Sequence, residues 1–263
     1  MNAITSKPAQ ALQHPITLVT GGSRGLGRNT ALHLAAQGHD IILSYRSQAA
    51  ESASAVAEIQ ALGRRAVALQ LDTGHSESFA DFAAAVQAAL AHTWQREHFD
   101  HLVNNAGLGI HAGLMDTTED QFDELFRVHL KGVFFLSQKL LPLMNDGGRI
   151  VNISSGLTRF ALPGYGAYAA MKGAVEVLSR YMAKELGPRG IAVNVVAPGA
   201  IETDFGGGLV RDDARVNGFI ASQTALGRVG LPDDIGGAIA ALLSPGNRWL
   251  NAQRIEASGG MFL

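Results

Sequence analysis

Short apolar segments alternate with helical patterns from one end of the chain to the other, and this alternation restricts the possible fold more than any other feature. The predicted strands cover residues 16–20, 40–45, 65–70, 101–104, 149–153, 192–197 and 254–257. Helices are predicted to begin near Gly25, Gln48, Ser76, Thr118, Tyr165 and Pro232. Because several strands are almost wholly apolar, we expect them in a mostly parallel sheet with helices on both faces. The sequence therefore predicts a doubly wound α/β fold with a seven-stranded sheet.

Length and composition limit the domain count and the kinds of partner. The 263 residues contain no linker or repeat, so residues 16–263 are predicted to form one domain and residues 1–15 a flexible leader. A net charge of −2 without a basic tract argues against nucleic acid, and no apolar run is long enough for a membrane span. The chain has no cysteine and its nine histidines lack ligand spacing, so no metal site is predicted. We expect a cytoplasmic protein.

The first predicted strand runs into a glycine-rich turn, Thr20-Gly21-Gly22-Ser23-Arg24-Gly25-Leu26-Gly27, and a helical pattern follows it. Glycines allow a tight turn, and the helix N-terminus presents amide hydrogens to a pyrophosphate. This strand–loop–helix context indicates a dinucleotide site in a Rossmann-type domain. The cofactor contacts predicted from the loop are Gly21, Ser23, Arg24, Gly25, Leu26 and Gly27.

The end of the second strand, Ser44-Tyr45-Arg46, is where the fold selects its coenzyme. A carboxylate there would bind the adenosine ribose and repel a 2′-phosphate, but no acid occurs before Glu51. Arg46 is placed to stack on adenine and bind the 2′-phosphate, with Arg24 nearby, although both could be solvated surface charges. We therefore predict NADP (NADPH) rather than NAD, with Tyr45 and Arg46 as cofactor contacts.

Three further segments end predicted strands at the same edge of the sheet. Asp72 follows the third strand, where it can reach the adenine edge or cap the next helix. The segment Asn104-Asn105-Ala106-Gly107 closes the fourth strand with small residues that leave room for the adenosine ribose. The segment after the sixth strand is expected beside the nicotinamide. The cofactor contacts predicted here are Asp72, Asn104, Ala106, Gly107, Pro198, Gly199, Ile201 and Thr203.

Ser155, Tyr168 and Lys172 are the candidate proton-handling group. A helix places residues four apart on one face, so Lys172 is expected beneath Tyr168. A free phenol has a pKa of about 10, and a nearby ammonium is expected to lower the pKa of Tyr168 toward neutral pH. The Ser155 hydroxyl would hold the reacting oxygen. A Tyr and a Lys at this spacing also occur by chance on helix surfaces, but the serine and the glycine loop favour acid–base chemistry at a nicotinamide.

Together with Asn152–Ser155 and Ser258-Gly259-Gly260, these segments resemble the single-domain short-chain dehydrogenase/reductase family over nearly the whole chain, and its 3-oxoacyl-reductase-like members in particular. The resemblance implies hydride transfer between nicotinamide C4 and a carbonyl carbon, with Tyr168 moving the proton and Ser155 positioning the oxygen. Lys172 would lower the pKa of Tyr168 and bind the nicotinamide ribose, so Tyr168 and Lys172 also count as cofactor contacts. The resemblance further implies a homotetramer.

Two positions depart from the family pattern. His129 stands where the family usually has an Asn that supports a proton relay, and whether His129 serves the relay or only packs stays open. Carrier-protein reductases dock an acidic carrier through basic residues near the active-site mouth; Arg189 is present in one such region, but Asp146 opposes an acidic partner. This favours a free small carbonyl compound over a carrier-bound thioester.

Residues 204–224, with Gly206-Gly207-Gly208, are expected to form a mobile substrate lid, because three glycines make one ordered conformation costly in entropy. We predict an NADP-dependent oxidoreductase that transfers hydride between the nicotinamide and a small carbonyl or alcohol substrate. Three alternatives stay open: a 3-oxoacyl-carrier-protein-type reductase, an NAD-linked sugar or polyol dehydrogenase, and a non-catalytic cofactor-binding protein. The sequence leaves the particular substrate and its stereochemistry undetermined.

Overall fold

A parallel sheet of seven strands runs through the centre of the computed structural model, which describes residues 14–263. The strand order is β3-β2-β1-β4-β5-β6-β7. The strands are β1 (Ile16–Val19), β2 (Asp40–Tyr45), β3 (Ala66–Gln70), β4 (Phe99–Asn104), β5 (Met144–Ile153), β6 (Ala192–Pro198) and β7 (Arg254–Ala257). The predicted doubly wound fold is confirmed. Residues 1–13 of the predicted leader, which was expected to cover residues 1–15, lie outside the described residues.

Helices cover both faces of the sheet. They are α1 (Gly25–Ala36), α2 (Ala49–Ala61), α3 (Phe79–Ala89), α4 (Glu119–Phe126), α5 (Gly132–Leu140), α6 (Gly166–Leu186), α7 (Leu209–Asp212), α8 (Ala214–Ser222) and α9 (Pro232–Leu243). Each predicted helix is present. Three helices that the sequence did not predict, α5, α7 and α8, lie after His129 and inside the expected lid. No helix within residues 14–263 is long and apolar enough to cross a membrane.

Two hydrophobic cores, one on each face of the sheet, explain the nearly continuous apolar strands. Successive strand residues point to opposite faces. Leu18 accordingly packs in one core with Phe79 of α3, and Val19 packs in the other with Leu34 of α1. Since both faces are covered, neither set of side chains can be polar without losing hydrophobic stabilisation.

The strand order reverses between β1 and β4, and this reversal positions the functional site. β1 pairs with β2 on one side and with β4 on the other, in parallel in both cases. The connections from these strands therefore leave in opposite directions, which opens a crevice at the carboxyl ends of β1 and β4. The glycine-rich turn follows β1 and residues 105–107 follow β4, so both segments border this crevice.

Candidate active site

The glycine-rich turn after β1 is packed tightly against the segment after β4. Gly21 has a φ of +66°, and a Cβ atom there would lie 3.0 Å from the Ala106 Cα atom. A Cβ atom at Gly27 would collide with the Gly21 carbonyl oxygen. The Thr20 hydroxyl oxygen accepts hydrogen bonds from the backbone amides of Asn105 and Ala106, both at 3.0 Å. Any larger side chain at these glycines would therefore push the turn away from the crevice.

The N-terminus of α1 fits the pyrophosphate of a dinucleotide. Arg24 occupies the N-cap position without a side-chain cap, and the first turn of α1 contains no acidic residue. The first amides of a helix have no partner within the helix and carry the positive end of its dipole. Thr203, from the segment after β6, faces Gly25, with its Cβ atom 3.8 Å from where a Gly25 Cβ atom would lie. The turn after β1 and the segment after β6 therefore form two walls of one cleft.

The end of β2 is joined directly to the glycine-rich turn. The Gly22 amide donates to the Ser44 carbonyl at 2.8 Å, and the Gly21 amide donates to the Ser44 hydroxyl at 3.2 Å. Tyr45 and the exposed Arg46 follow immediately, so they lie beside the turn, where the sequence predicted the adenosine end of the coenzyme. Ser44 contributes to this junction and was not among the predicted site residues.

Arg24 and Asp72, two predicted coenzyme contacts, already have partners in the protein. An Arg24 guanidinium nitrogen lies 3.7 Å from an Asp204 carboxylate oxygen, so Arg24 would have to turn to reach a 2′-phosphate. Asp72 Oδ1 accepts from the Gly74 amide at 2.9 Å. Asp72 does not cap the next helix, whose N-cap is His75, but forms an Asx turn before it, and its side chain is 35% exposed.

Asn104 turns away from the cleft. Its side-chain amide donates to the Ser137 hydroxyl at 3.0 Å and to the Asn152 side-chain oxygen at 2.8 Å, and Asn152 donates in turn to the Ser179 hydroxyl at 2.8 Å. This buried chain of hydrogen bonds joins β4, β5, α5 and α6. Asn104 therefore fixes the base of the site, while Asn105, Ala106 and Gly107 form its surface. Sequence spacing alone does not show which way a side chain points.

The segment after β6 brings the remaining predicted contacts to the same cleft. Gly199 packs closely on Ser258, whose Cα atom would lie 2.9 Å from a Gly199 Cβ atom. Ile201 forms a parallel bridge with Gly230, and the Thr203 hydroxyl oxygen accepts from the Phe205 amide at 3.2 Å. Pro198 ends β6 and is buried. These contacts give the segment one defined path past the glycine-rich turn.

Ser155, Tyr168 and Lys172 come together at the carboxyl end of β5. Tyr168 and Lys172 lie on α6 and are 7% and 4% exposed. The Lys172 ammonium nitrogen lies 5.7 Å from the centre of the Tyr168 ring and donates to the Ile153 carbonyl at 2.7 Å. The Ser155 hydroxyl oxygen accepts from the Leu157 amide at 3.2 Å. The spacing in the sequence therefore predicted the grouping of these three side chains.

Burial controls the ionisation of Tyr168 and Lys172. Loss of hydration raises the pKa of Tyr168 well above 10; a hydrogen bond from Ser155 partly offsets this effect, and Tyr165 adds to it. Loss of hydration also lowers the pKa of Lys172 to about 7. The predicted lowering of the Tyr168 pKa is therefore wrong for the protein groups taken alone, because desolvation is the largest effect on the phenol and raises its pKa. Tyr168 is held as a neutral phenol, which is the form that donates a proton.

His129 lies in a wide helical turn, Arg127–Lys131, between α4 and α5. Its Nε2–H group donates to the Leu108 carbonyl at 2.7 Å, and its ring meets the Tyr168 ring edge-on at 5.1 Å. Burial, with Lys172 nearby, holds the pKa of His129 well below 6.5, so the ring is neutral. Gly107 makes room for it, because a Cβ atom at Gly107 would lie 2.8 Å from the imidazole Cε1 atom. His129 therefore joins the loop after β4, through Leu108, to the wide turn between α4 and α5, and its ring lies against Tyr168.

Arg189 and Asp146, the pair used to argue against a carrier protein, lie away from the cleft. Arg189 follows α6 and donates to Asp146 at 2.7 Å and to the carbonyl of Met144, the first residue of β5. Ser155 lies at the other end of that strand. The placement of Arg189 near the active-site mouth was therefore wrong, since parallel strands put their starts and ends on opposite edges of the sheet. The pair gives no information about carrier docking.

The fold and the cleft define a class, the dinucleotide-dependent oxidoreductases with a doubly wound sheet. A family model described as enoyl-(acyl carrier protein) reductase matches residues 21–262. The tetrahydroxynaphthalene reductase PfmaG of Pestalotiopsis fici is 33% identical, over 98% of this chain and 96% of that protein. The chain belongs to the short-chain dehydrogenase/reductase family, as predicted, and it is an NAD(P)-dependent enzyme of that family.

Two solved structures resemble the chain over almost its full length. The reductase LugOII, which catalyses keto-reduction at C1 during lugdunomycin biosynthesis, is 37% identical with a TM-score of 0.91, over 97% of this chain and 100% of that chain. The angucycline C-6 ketoreductase LanV, solved with bound NADP, is 33% identical with a TM-score of 0.90, over 94% of this chain and 95% of that chain. LanV has also been solved with NADP and rabelomycin. The NADP in LanV agrees with the coenzyme predicted from Arg46.

Proposed function

We propose that the chain is an NADP-dependent ketoreductase that reduces a ketone on a fused-ring aromatic compound, with Tyr168 as the proton donor. The observation that carries the proposal is the buried Tyr168 phenol beside the Ser155 hydroxyl at the carboxyl end of β5. The names of LugOII and LanV support a keto substrate, and those of PfmaG and LanV point to fused rings.

The glycine-rich turn, Arg46 and Thr203 would hold NADP, since the glycines admit a close backbone approach and the first amides of α1 face the cleft. The bound coenzyme supplies the hydride. Lys172 is placed to bind the nicotinamide ribose. Its ammonium nitrogen is anchored on the Ile153 carbonyl, and this anchor keeps the charge beneath Tyr168.

Ser155 and Tyr168 would bind the ketone oxygen together. Ser155 Oγ accepts from the Leu157 amide, and its own hydrogen, directed at the Tyr168 oxygen, would shift to the ketone oxygen when the ketone binds. Tyr168 would transfer its phenolic proton to the oxygen as the carbonyl becomes an alcohol. The remaining phenolate needs a positive charge nearby, which protonated Lys172 provides.

Aromatic side chains around Tyr168 support an aromatic substrate over a linear one. The Phe205 ring lies 5.7 Å from the Tyr168 ring, and the rings of His111 and Tyr165 meet edge-on at 4.9 Å near the mouth of the site. Aromatic rings pair favourably with one another in offset or edge-on arrangements. The Phe205 ring offers a sugar or polyol no hydrogen-bonding partner, so the alternative of a sugar dehydrogenase is less well supported.

The substrate assignment is tested with a panel of three substrate types. With NADPH in excess, we expect the wild-type protein to reduce 2-tetralone, a bicyclic ketone with a fused aromatic ring, with absorbance at the coenzyme band falling over time. Acetoacetyl-coenzyme A represents the carrier-bound alternative, and sorbitol with NAD represents the polyol alternative. If the specificity constant for acetoacetyl-coenzyme A or for sorbitol is higher than that for 2-tetralone, the proposed substrate class is wrong.

The proton donor is tested by Tyr168→Phe, with Tyr165→Phe as a matched control three residues earlier. Tyr168→Phe is expected to lower kcat at least about 1,000-fold, since general acid catalysis and hydrogen bonding to the oxygen are both lost. The Kd of NADPH, followed by its fluorescence, should change less than about twofold. Tyr165→Phe should retain most of the activity. Substantial turnover by Tyr168→Phe would show that another group supplies the proton.

We also propose that the catalytic unit is a homotetramer located in the cytoplasm. Exposed apolar side chains on α4, α5 and α6 support association through these helices: Phe122, Phe126, Phe134, Phe135, Val177 and Tyr181. Exchanging Tyr181 for Glu is expected to shift the mass measured by light scattering to a smaller species. If the wild-type protein and the Tyr181→Glu variant both have the mass of a monomer, the proposed tetramer is wrong.

A further inference from the structure

We propose that Phe205 is an aromatic gate: when closed it covers Tyr168, and when open its ring stacks on the planar ring of the substrate and so selects aromatic ketones. The proposal rests on the proposed ketoreductase function. Phe205 lies in the short helical turn between Thr203 and α7, at the start of the segment expected to act as a lid.

The closed position is defined by two contacts. The Phe205 ring is tilted by 58° against the Tyr168 ring, with the two centres 5.7 Å apart. On its other side the ring touches Gly109, where an added Cβ atom would lie 2.8 Å from the Phe205 Cε1 atom. Glycine at position 109 is therefore what allows the ring to settle over the phenol. In this position the ring occupies space that a ketone bound to Tyr168 needs, so it must move when the substrate binds.

The chain on the two sides of Phe205 differs in how firmly it is held. On the N-terminal side, buried Thr203 accepts a hydrogen bond from the Phe205 amide at 3.2 Å. On the C-terminal side, Gly206, Gly207 and Gly208 have φ values of +62°, +79° and +78°, all in the left-handed region. Only glycine adopts and leaves this region at low cost, so these three residues form a hinge about which Phe205 can swing.

The surface chemistry of Phe205 suits an open position in contact with substrate. The side chain is 44% exposed even when it rests on Tyr168 and Gly109, so part of the ring is already open to solvent. An exposed phenylalanine gains by covering an apolar surface, and a flat aromatic ring offers more contact than a puckered saturated ring of the same size. The gate would therefore distinguish the two kinds of ketone by shape and ring electronics.

The test compares 2-tetralone with 2-decalone, which share a ten-carbon bicyclic ketone frame but differ in aromaticity. Phe205→Leu keeps apolar bulk without the ring, whereas Phe205→Tyr keeps the ring. With NADPH saturating, Phe205→Leu is expected to lower the tetralone-to-decalone ratio of kcat/KM by about 2- to 10-fold, mainly through the KM for tetralone. Phe205→Tyr should keep the ratio within about twofold. An unchanged ratio in Phe205→Leu would overturn the gate.

Gly109→Ala tests the closed position without altering the ring of Phe205. The added methyl group should displace the ring from Tyr168, so the KM for 2-decalone is expected to fall while the Kd of NADPH stays unchanged. Phe219→Ala is the matched control, since Phe219 lies on α8 and is 53% exposed. If Gly109→Ala and Phe219→Ala have the same KM for 2-decalone, Phe205 does not obstruct the site.

A binding measurement separates failure of the gate from failure of the proposed reaction. With NADP present, calorimetry should show that Phe205→Leu binds 2-naphthol about 2- to 10-fold more weakly than wild type, whereas Phe205→Tyr binds it normally. Equal affinity in all three proteins rejects the gate, even if ketones are reduced. A wild-type protein that binds 2-naphthol through Phe205 but reduces neither ketone would retain the gate and reject the proposed reaction.

Discussion

Tyr168 and Lys172 illustrate how burial changes the chemistry of two residues whose pairing the sequence predicted. Both side chains lie almost entirely out of water, and burial favours the neutral form of each. The phenol therefore keeps its proton, while the pKa of Lys172 falls to about 7. In the proposed mechanism, reduction of a ketone begins from a neutral phenol, and the charge on Lys172 becomes important once the proton has left.

The pH dependence of ketone reduction should follow Lys172. In the proposed mechanism, protonated Lys172 stabilises the phenolate that Tyr168 becomes, and the ammonium is lost as pH rises through about 7. We therefore expect kcat for reduction to fall between pH 6 and pH 9, measured with NADPH and ketone saturating. Lys172→Met should be slow at every pH and lack this decline. A flat wild-type profile would show that the charge on Lys172 does not assist the step.

Coenzyme preference should depend on Arg46 more than on Arg24. Arg46 is exposed beside the glycine-rich turn, whereas Arg24 would first have to leave Asp204. A charged hydrogen bond to phosphate contributes about 1.5–3 kcal/mol, so Arg46→Ala is expected to weaken NADPH binding by roughly one to two orders of magnitude. The Kd of NADH should stay within about twofold.

Tyr45→Asp provides the complementary change to Arg46→Ala at the end of β2. Its carboxylate should repel the 2′-phosphate and accept the ribose hydroxyls, which reverses the preference toward NADH. The Kd values of NADPH and NADH are both measured from coenzyme fluorescence. Equal losses for the two coenzymes in Arg46→Ala would mean that the arginine does not contact the phosphate.

The sequence predicted which residues gather at the site better than it predicted what each side chain contacts. Spacing along α6 is a local property, so the proximity of Tyr168 and Lys172 could be predicted. The direction of Asn104 depends on Ser137 and Asn152, which are distant in the chain and meet it only through the sheet. Thr20 was missed for the same reason, because its partners come from the segment after β4.

Among the secondary-structure elements, the hydrophobic pattern predicted the apolar strands but did not predict the irregular segments of the backbone. β5 begins at Met144 rather than near residue 149, since it already pairs with Phe99 across an irregularity in β4. Residues 146–148, Asp-Gly-Gly, carry no strand pattern and fall between Met144 and Arg149, the two residues that pair with β4 around the irregularity. The wide turn between α4 and α5 likewise leaves no periodic signal, although such turns frequently occur at functional sites.

That wide turn places His129 where it positions the loop after β4. His129→Leu removes the hydrogen bond to the Leu108 carbonyl and is expected to lower kcat/KM for the ketone about 2- to 10-fold, mainly through KM. Because the pKa of His129 lies well below 6.5, the ring stays neutral and the pH profile should not move. His129→Asn, which restores the usual family residue, should keep or raise activity.

The pH profile of His129→Leu distinguishes a positioning role from a relay. A profile that shifts or loses its pH-dependent decline would assign proton transfer to His129. Equal activity in the wild-type, His129→Asn and His129→Leu proteins would instead reduce His129 to packing. A change in KM without a change in the pH profile would support a positioning role for His129 through its hydrogen bond to the Leu108 carbonyl.

Across the whole molecule, the two edges of the sheet carry different ionisable groups. The carboxyl edge holds the candidate catalytic side chains, while His39 lies buried and His101 half-buried toward the amino edge, with their ring centres 5.5 Å apart. His39 shares a hydrogen bond of 2.8 Å with the Thr17 hydroxyl. Burial lowers the pKa of His39 to about 4 and that of His101 to about 3, with Arg149 adding to the effect and Asp100 opposing it.

These two histidines should make the fold sensitive to mild acid. In the unfolded chain both rings take up protons below a pKa of about 6.5, whereas in the folded chain they stay neutral until about pH 4 and 3. The unfolded state therefore binds more protons as pH falls, and the free energy of unfolding decreases by up to about 1.4 kcal/mol per pH unit for each histidine. Above about pH 7 the rings are neutral in both states and this loss is absent.

Urea denaturation at pH 7, 6 and 5 would measure this loss in a window above the range where carboxylates titrate. His101→Gln is expected to reduce the slope of unfolding free energy against pH by about half of the histidine contribution, since one of the two protonating rings is gone. His92→Gln, at an exposed position after α3, is the matched control and should keep the wild-type slope. If His101→Gln and His92→Gln give the same slope, the buried histidine pair does not set the acid sensitivity of the fold.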